Sequence, residues 1–309
     1  MFDRMTIKSS IPEGVVPDVV SRLSLMRCQR GSLVYWQSSA YGKFDAMFVT
    51  IESGEMTVKM SLHKHWAKMD SGRLDNSGPF SMEQAEDALL DTIRMLRLSP
   101  LEARVTYYEV GVNLQMDHDP LEYIRKTTGC VGKEMFVDAN YEKDRQRTTA
   151  RTRNMRKVLK IYDKTYEATE KGHDVDDGIL RCETIYRHQK LLLCTLFDRQ
   201  WQRETAGRFF DDWGHLEFER VLTGKGVKES QLSHARELLR LGKDEWLRLG
   251  REQWRDGLIT KKQWETKRNF ARSWPDIRER FRMEPSELER EYRKKLDAAR
   301  GVCLEREKE

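Results

Sequence analysis

The sequence predicts an α+β protein: a mainly antiparallel sheet with helices on one face, followed by an α-helical C-terminal region. Three observations carry this. Several stretches among the first 190 residues alternate apolar and polar side chains with period two, residues 104–114 most cleanly. One amphipathic helix, opened by a capping box, is long enough to lie across such a sheet. After Lys190 the period changes to that of helices and stays there, which divides the chain into a sheet-bearing region at 1–190 and a helical region at 191–309.

Taken in order, residues 2–9 read as a first strand, with Ile11-Pro12-Glu13-Gly14 as its exit turn. A helix is expected over 16–26 and strands over 31–37 and 46–52. Ser53-Gly54 is a hairpin turn into a return strand. Met56, Val58, Met60 and Leu62 share one face of that strand; Thr57, Lys59, Ser61 and His63 share the other. Ser81-Met82-Glu83-Gln84 forms the capping box, and Met82, Ala85, Leu89, Ile93 and Leu96 make the apolar stripe of the helix behind it. In the strand 104–114, Tyr108, Val110, Val112 and Leu114 face the core, with Tyr107, Glu109, Gly111 and Asn113 opposite. Asp119-Pro120 caps a short helix to 125, and 131–137 reads as another strand.

Residues 143–160 hold eight Lys or Arg against one Asp. The run feeds into a strand beginning at Lys157, whose alternation sets Leu159 and Ile161 against Lys160, Tyr162 and Lys164. Residues 179–187 form the last strand, with Arg181 and Glu183 on one face and Leu180, Cys182, Thr184 and Tyr186 on the other. Helices are then expected over 191–201, 212–222, 230–241, 244–255 and from 260 to 270, with a second capping box at 286–289. The tryptophans of this half read as packing between helices. Residues 261–282, with eight basic and three acidic side chains, include a helix suited to lying along DNA.

Composition narrows the class. The chain has 309 residues, a net charge of +5 and five scattered cysteines without CxxC spacing, so neither a zinc knuckle nor a disulfide framework is indicated. No run approaches a membrane span and no leader pattern opens the chain, so a cytoplasmic protein is expected. No Gly-rich phosphate loop is visible, and no nucleotide cofactor is expected.

The polar faces carry the chemistry. If the three best strands share a sheet, Glu109 with Asn113, Tyr162 with Lys164, and Arg181 with Glu183 look out on one open surface. Glu109 and Glu183 would then hold a hard divalent ion, Mg²⁺ or Mn²⁺. A phenol between lysines is eased toward ionisation, which suits Tyr162 to attack phosphorus, with Lys164 stabilising the charge that develops. Arg181 either grips phosphate or pairs with Glu183. Lys160, Arg151, Arg153, Arg156 and Lys157 would contact the DNA backbone.

The order of these pieces resembles the replication initiators of filamentous phages and related rolling-circle plasmids, the gene II/X type. There a hairpin and a helix are followed by a strand bearing an acidic residue, a Tyr-x-Lys strand and an Arg-Phe-Glu strand. The corresponding pieces here are Tyr107-Tyr108-Glu109-Val110-Gly111-Val112-Asn113, then Leu159-Lys160-Ile161-Tyr162-Asp163-Lys164, then Leu180-Arg181-Cys182-Glu183. They fall within residues 2–187, with Glu109 in place of the family's aspartate and Cys182 in place of its phenylalanine.

The resemblance implies site-specific nicking of an origin strand in a bacterial cytoplasm. Tyr162 would become linked to the 5′-phosphate, releasing a 3′-OH for a host helicase and polymerase to use. The helical half would bind duplex, dimerise or contact host factors. A non-catalytic origin-binding protein and a mobilisation relaxase are the alternatives. His63-Lys64-His65, read as strand, would aim both imidazoles to one side, as in histidine-pair nickases. Lys64 stands where those enzymes carry an apolar residue, so a phosphate-contacting or solvated role is favoured over a ligand role.

Overall fold

The alternating stretches pair side by side in a computed structural model of the chain, which describes residues 1–39, 46–74, 76–137, 149–152, 156–173 and 175–305. The described residues cluster into two units, Met1–Phe218 with Leu288–Glu309, and Glu219–Glu287.

In chain order the first unit contains β1 (Phe2–Ser10), α1 (Val16–Arg22), β2 (Met26–Arg30), β3 (Leu33–Gln37), β4 (Met47–Glu52), β5 (Glu55–Ser61), α2 (Leu62–Ser71), α3 (Met82–Leu96) and β6 (Arg104–Gln115). It continues with α4 (Pro120–Lys126), β7 (Thr127–Cys130), β8 (Lys133–Val137), β9 (Thr149–Thr152), β10 (Lys157–Asp163), α5 (Lys164–Glu170), β11 (Ile179–Leu192), α6 (Arg199–Gly214) and β12 (Leu216–Phe218). The second unit holds β13 (Val221–Gly224), α7 (Glu229–Leu241), α8 (Lys243–Arg255), α9 (Lys261–Ile277) and β14 (Phe281–Glu284); α10 (Glu287–Glu305) then returns to the first.

The first unit is built on a twelve-stranded sheet in the order β12-β7-β8-β9-β10-β11-β6-β1-β5-β4-β3-β2, with every neighbouring pair antiparallel. Local chemistry sets its turns. Ser53 and Gly54 both take positive φ, 51° and 75°, the two-residue turn whose twist matches a β-hairpin. The capping box of α3 forms as its sequence implies: Gln84 N–H donates to Ser81 Oγ, and Ser81 N–H to Gln84 Oε1.

Period two then sorts the side chains. Met5, Tyr108 and Tyr186 align across β1, β6 and β11 on the apolar face. Helices cover that face. Thr92 of α3 points its hydroxyl at Met60 Sδ, Trp213 of α6 donates its indole N–H to Thr184, and the Tyr292 hydroxyl of α10 lies 3.8 Å from Cys182 Sγ. Burying a large apolar side chain of this kind stabilises by about 1.5–3 kcal/mol.

Four expectations need correcting. β5 stops at Ser61, whose hydroxyl accepts Lys64 N–H and starts α2, so His63, Lys64 and His65 are helical rather than extended. The expected helix over 212–222 is broken: α6 ends at Gly214, and β12, which follows, pairs with the sequence-distant β7. The expected helix over 191–201 is the end of β11 and a 3₁₀ turn, because Asp198 caps α6 by accepting Gln200 and Trp201 N–H groups. Finally, residue 190, where the change of period suggested a boundary, lies inside β11, and the first compact unit runs on to Phe218.

The second unit is a three-helix cluster with a two-stranded ribbon, β13 against β14, around Leu222, Ala235, Leu238, Trp246 and Phe270. Gly250 lets α8 approach α9, since a Cβ there would lie 3.0 Å from the Trp264 ring. Among the described residues no helix is long and apolar enough to cross a membrane.

Candidate active site

On the face opposite those helices, register places the polar residues side by side. Arg181 stands across from Asn113 and Tyr162, Glu183 across from Gly111 and Lys160, and Ile185 across from Glu109. A register shift in β1 between Phe2 and Met5 brings in a further acid, Asp3. Ligand oxygens of Asp3, Glu109 and Glu183 lie within 4.8 Å of one another, the one such group among the described residues.

Arg181 ties the acids together. Its Nη2 donates to Asp3 Oδ2 at 2.6 Å, its Nε to Glu183 Oε1 at 2.6 Å, and its Nη1 to Asn113 Oδ1 at 2.9 Å. Gly111 makes this possible: a Cβ there would lie 3.1 Å from Glu183 Cγ and 3.2 Å from Arg181 Nη2. Asp3 also accepts from Ser61 Oγ at 2.5 Å and Asn76 Nδ2 at 3.1 Å. Asn76 in turn accepts from Lys164 Nζ at 2.7 Å, and Tyr107 donates to Glu109.

Electrostatics separates the three carboxylates. Burial alone would raise Asp3, but the Arg181 guanidinium and the Ser61 hydroxyl hold it down at about 2. Burial would raise Glu183 as well, yet Arg181 and Lys160 keep it below the ordinary range. Glu109 lacks such a clamp. Burial and the adjoining charge of Glu183 push it up to about 7. All three donors are carboxylate oxygens, the ligand type that fits a hard divalent ion such as Mg²⁺ or Mn²⁺, with Arg181 holding two of them in place.

Tyr162 reaches this cluster from β10. Its hydroxyl donates to Glu183 Oε1 at 2.9 Å, and Lys160 Nζ lies 3.9 Å from the ring centroid and 3.5 Å from Glu183 Oε2. The residue is 6% exposed, not solvent-facing as its alternation implied. Burial and the Glu183 charge raise the phenol well above its ordinary value, the reverse of the expected easing by lysines. Lys164 does not flank the hydroxyl. It opens α5, is buried, and pairs with Glu167 at 2.7 Å.

The other expected contacts scatter. Arg181 is 3% exposed and fully engaged by the cluster, so it holds the acids rather than reaching for a ligand. Lys157 takes the opposite face and pairs with Asp212 of α6 at 2.5 Å. Arg151 and Arg156 are exposed, Arg151 beside Lys160 in register. Arg153 lies outside the described residues. His63 stacks on Phe80 with centroids 4.3 Å apart, while His65 Nε2 sits 2.9 Å from Asp91, so the two rings do not converge on one ion.

No family model and no curated protein matches the chain. Among solved structures it is similar to a rolling-circle replication initiator protein from Geobacillus stearothermophilus, at 12% identity and a TM-score of 0.42, over 74% of this chain and 88% of that one.

The alternation of β6, β10 and β11 puts Glu109, Tyr162 and Glu183 on one face, and the structure brings them together there. Asp3, Asn76 and Tyr107 were missed. Asp3 had a usable signal, since aspartate is depleted in strands and this one interrupts an apolar start. Asn76 comes from a loop whose path no periodicity describes.

Proposed function

We propose that the chain nicks and rejoins single-stranded or extruded origin DNA to start rolling-circle replication, with Tyr162 as nucleophile. One observation carries this reading: the Tyr162 hydroxyl is hydrogen-bonded to a carboxylate of the three-acid cluster. Asp3, Glu109 and Glu183 would hold Mg²⁺ or Mn²⁺, which when bound neutralises charge on the phosphoryl oxygens. The phenol keeps its proton until a phosphodiester arrives and gives it up to solvent as its bond to phosphorus forms; Glu183, kept charged by Arg181 and Lys160, orients the hydroxyl by accepting its hydrogen bond. The bond from Tyr162 oxygen to phosphorus forms as the bond to the 3′-oxygen breaks. That oxygen leaves with the electron pair and takes up a proton; rejoining is the reverse. Lys160, against both ring and carboxylate, compensates the charge shifting between them. Arg151 and Arg156 extend the cationic surface for the DNA backbone.

The burial of Tyr162 favours one competitor, an origin-binding protein that does not cleave. The test is incubation with a randomised single-stranded DNA library and Mg²⁺, then mass spectrometry of any cross-linked peptide. An adduct on Tyr162, absent from Tyr162→Phe while DNA retention stays within about twofold, is the expected result. An adduct that survives the substitution, for instance on Tyr166, removes Tyr162 from the mechanism. Retention without any adduct leaves the binding protein. In this reading host helicase and polymerase take over the released 3′-end, and the basic α9 is the element suited to duplex DNA.

A further inference from the structure

We propose that a cavity beside the acid cluster receives one unpaired nucleobase, that of the nucleotide carrying the leaving 3′-oxygen, and so sets base preference on the 5′ side of the cut. This deepens, and rests on, the nicking reading above.

The cavity has a volume of about 410 Å³, and its lining includes Asp3, His63, Phe80, Asn113, Arg181 and Val302. That size is ordinary for a pocket taking a nucleotide-sized ligand. Phe80, with the His63 ring stacked behind it at 5° between planes, is an aromatic side chain of the kind on which extruded bases stack. Val112 and Val302 add apolar surface. Asp3 and Arg181 belong to both the cavity and the acid cluster, so a strand held at the cluster by a phosphate has the cavity within its next nucleotide.

Direction follows from the sheet. Tyr162 lies on β10, then come β11, β6 and β1, so the cavity's Asp3 wall lies across the acid cluster from Tyr162. In-line displacement puts nucleophile and leaving oxygen on opposite sides of phosphorus. With the phenol entering from β10, the 3′-oxygen and its nucleoside depart toward β1 and the cavity.

Two substitutions fill the cavity from different walls. Both positions line the cavity: Val302 is 55% exposed, which leaves room for Val302→Trp, and a Cβ at Gly78 would meet nothing within 4 Å, which leaves room for Gly78→Leu to begin. The full chain is incubated with the randomised library and Mg²⁺, and the released 3′-OH fragments are sequenced. The wild type is expected to favour one base at the fragment's 3′-terminus by about tenfold or more, falling below about threefold in both variants.

A second readout needs no cleavage. With Tyr162→Phe in EDTA, 2-aminopurine is moved stepwise along a bound oligonucleotide; one position should be strongly quenched, and Val302→Trp should abolish the quench. An unchanged 3′-terminal preference and an unchanged quench in the filled variants overturn the proposal while nicking stands. No adduct, but a position-specific quench that Val302→Trp removes, overturns nicking and keeps the cavity as a base site. Neither adduct nor quench overturns both.

Discussion

Glu109 is the residue on which stability and function pull apart. Its carboxyl is raised from 4.5 to about 7 by burial and by Glu183, so the folded state holds a proton that the unfolded chain releases earlier. The stability this gives is complete below about pH 4.5 and is lost as pH rises through about 7. Ion-free protein is therefore expected to melt at a lower temperature at pH 8 than at pH 6, as read by calorimetry in EDTA. A divalent ion competes with the same proton, so stabilisation by Mg²⁺ should grow over that interval. Glu109→Gln cannot ionise. It should gain on the order of 2 kcal/mol at pH 8 without ion and lose the ion-induced rise in melting temperature. A variant that is no more stable than wild type in EDTA, or still responds to Mg²⁺, would show that Glu109 is not the carboxyl for whose site proton and ion compete. The face of this residue was legible from alternation; its unusual acidity was not, since that depends on Arg181 crossing Gly111 to Asp3 rather than approaching Glu109.

Among the elements, the strands were legible and the lids were not. A strand's two faces are written in its own residues, and β6, β10 and β11 pair in a register that puts their polar members together. A helix's sequence shows that it has an apolar stripe but not which sheet covers it. The capping residues at 286–289 announced α10, yet nothing local said that Tyr292 and Leu296 would be buried against the sheet's apolar side with Trp213. Likewise Ser61 reads as the next polar residue of a strand until its hydroxyl is seen capping α2. That docking can be tested at Leu296, which is 3% exposed. Leu296→Ala should cost the first unit about 2–4 kcal/mol by denaturant unfolding, the range for a truncated core leucine. A loss below about 0.5 kcal/mol, the usual size for surface changes, would mean that α10 does not dock.

At the scale of the molecule the chain is an interrupted fold: residues 219–287 stand between β12 and α10, both of which belong to the first unit. The ends of the interruption are close, since the Phe218 and Tyr292 rings lie 5.3 Å apart. The inserted segment has its own core and closes on itself through β13 and β14. Replacing 219–287 by a short Gly-Ser linker should therefore leave a cooperatively folding first unit with its Mg²⁺ response intact, because every cluster residue lies outside the excision. A chain ended at 190, where the change of hydrophobic period pointed, should not fold: it cuts β11 and removes α6 and α10, leaving Thr184, Cys182 and Tyr186 uncovered. Circular dichroism and limited proteolysis of both proteins decide the matter. If the chain ended at 190 folds and the excised one does not, the sheet's apolar face is closed by something other than α6 and α10, and residues 219–287 are part of the first unit's core.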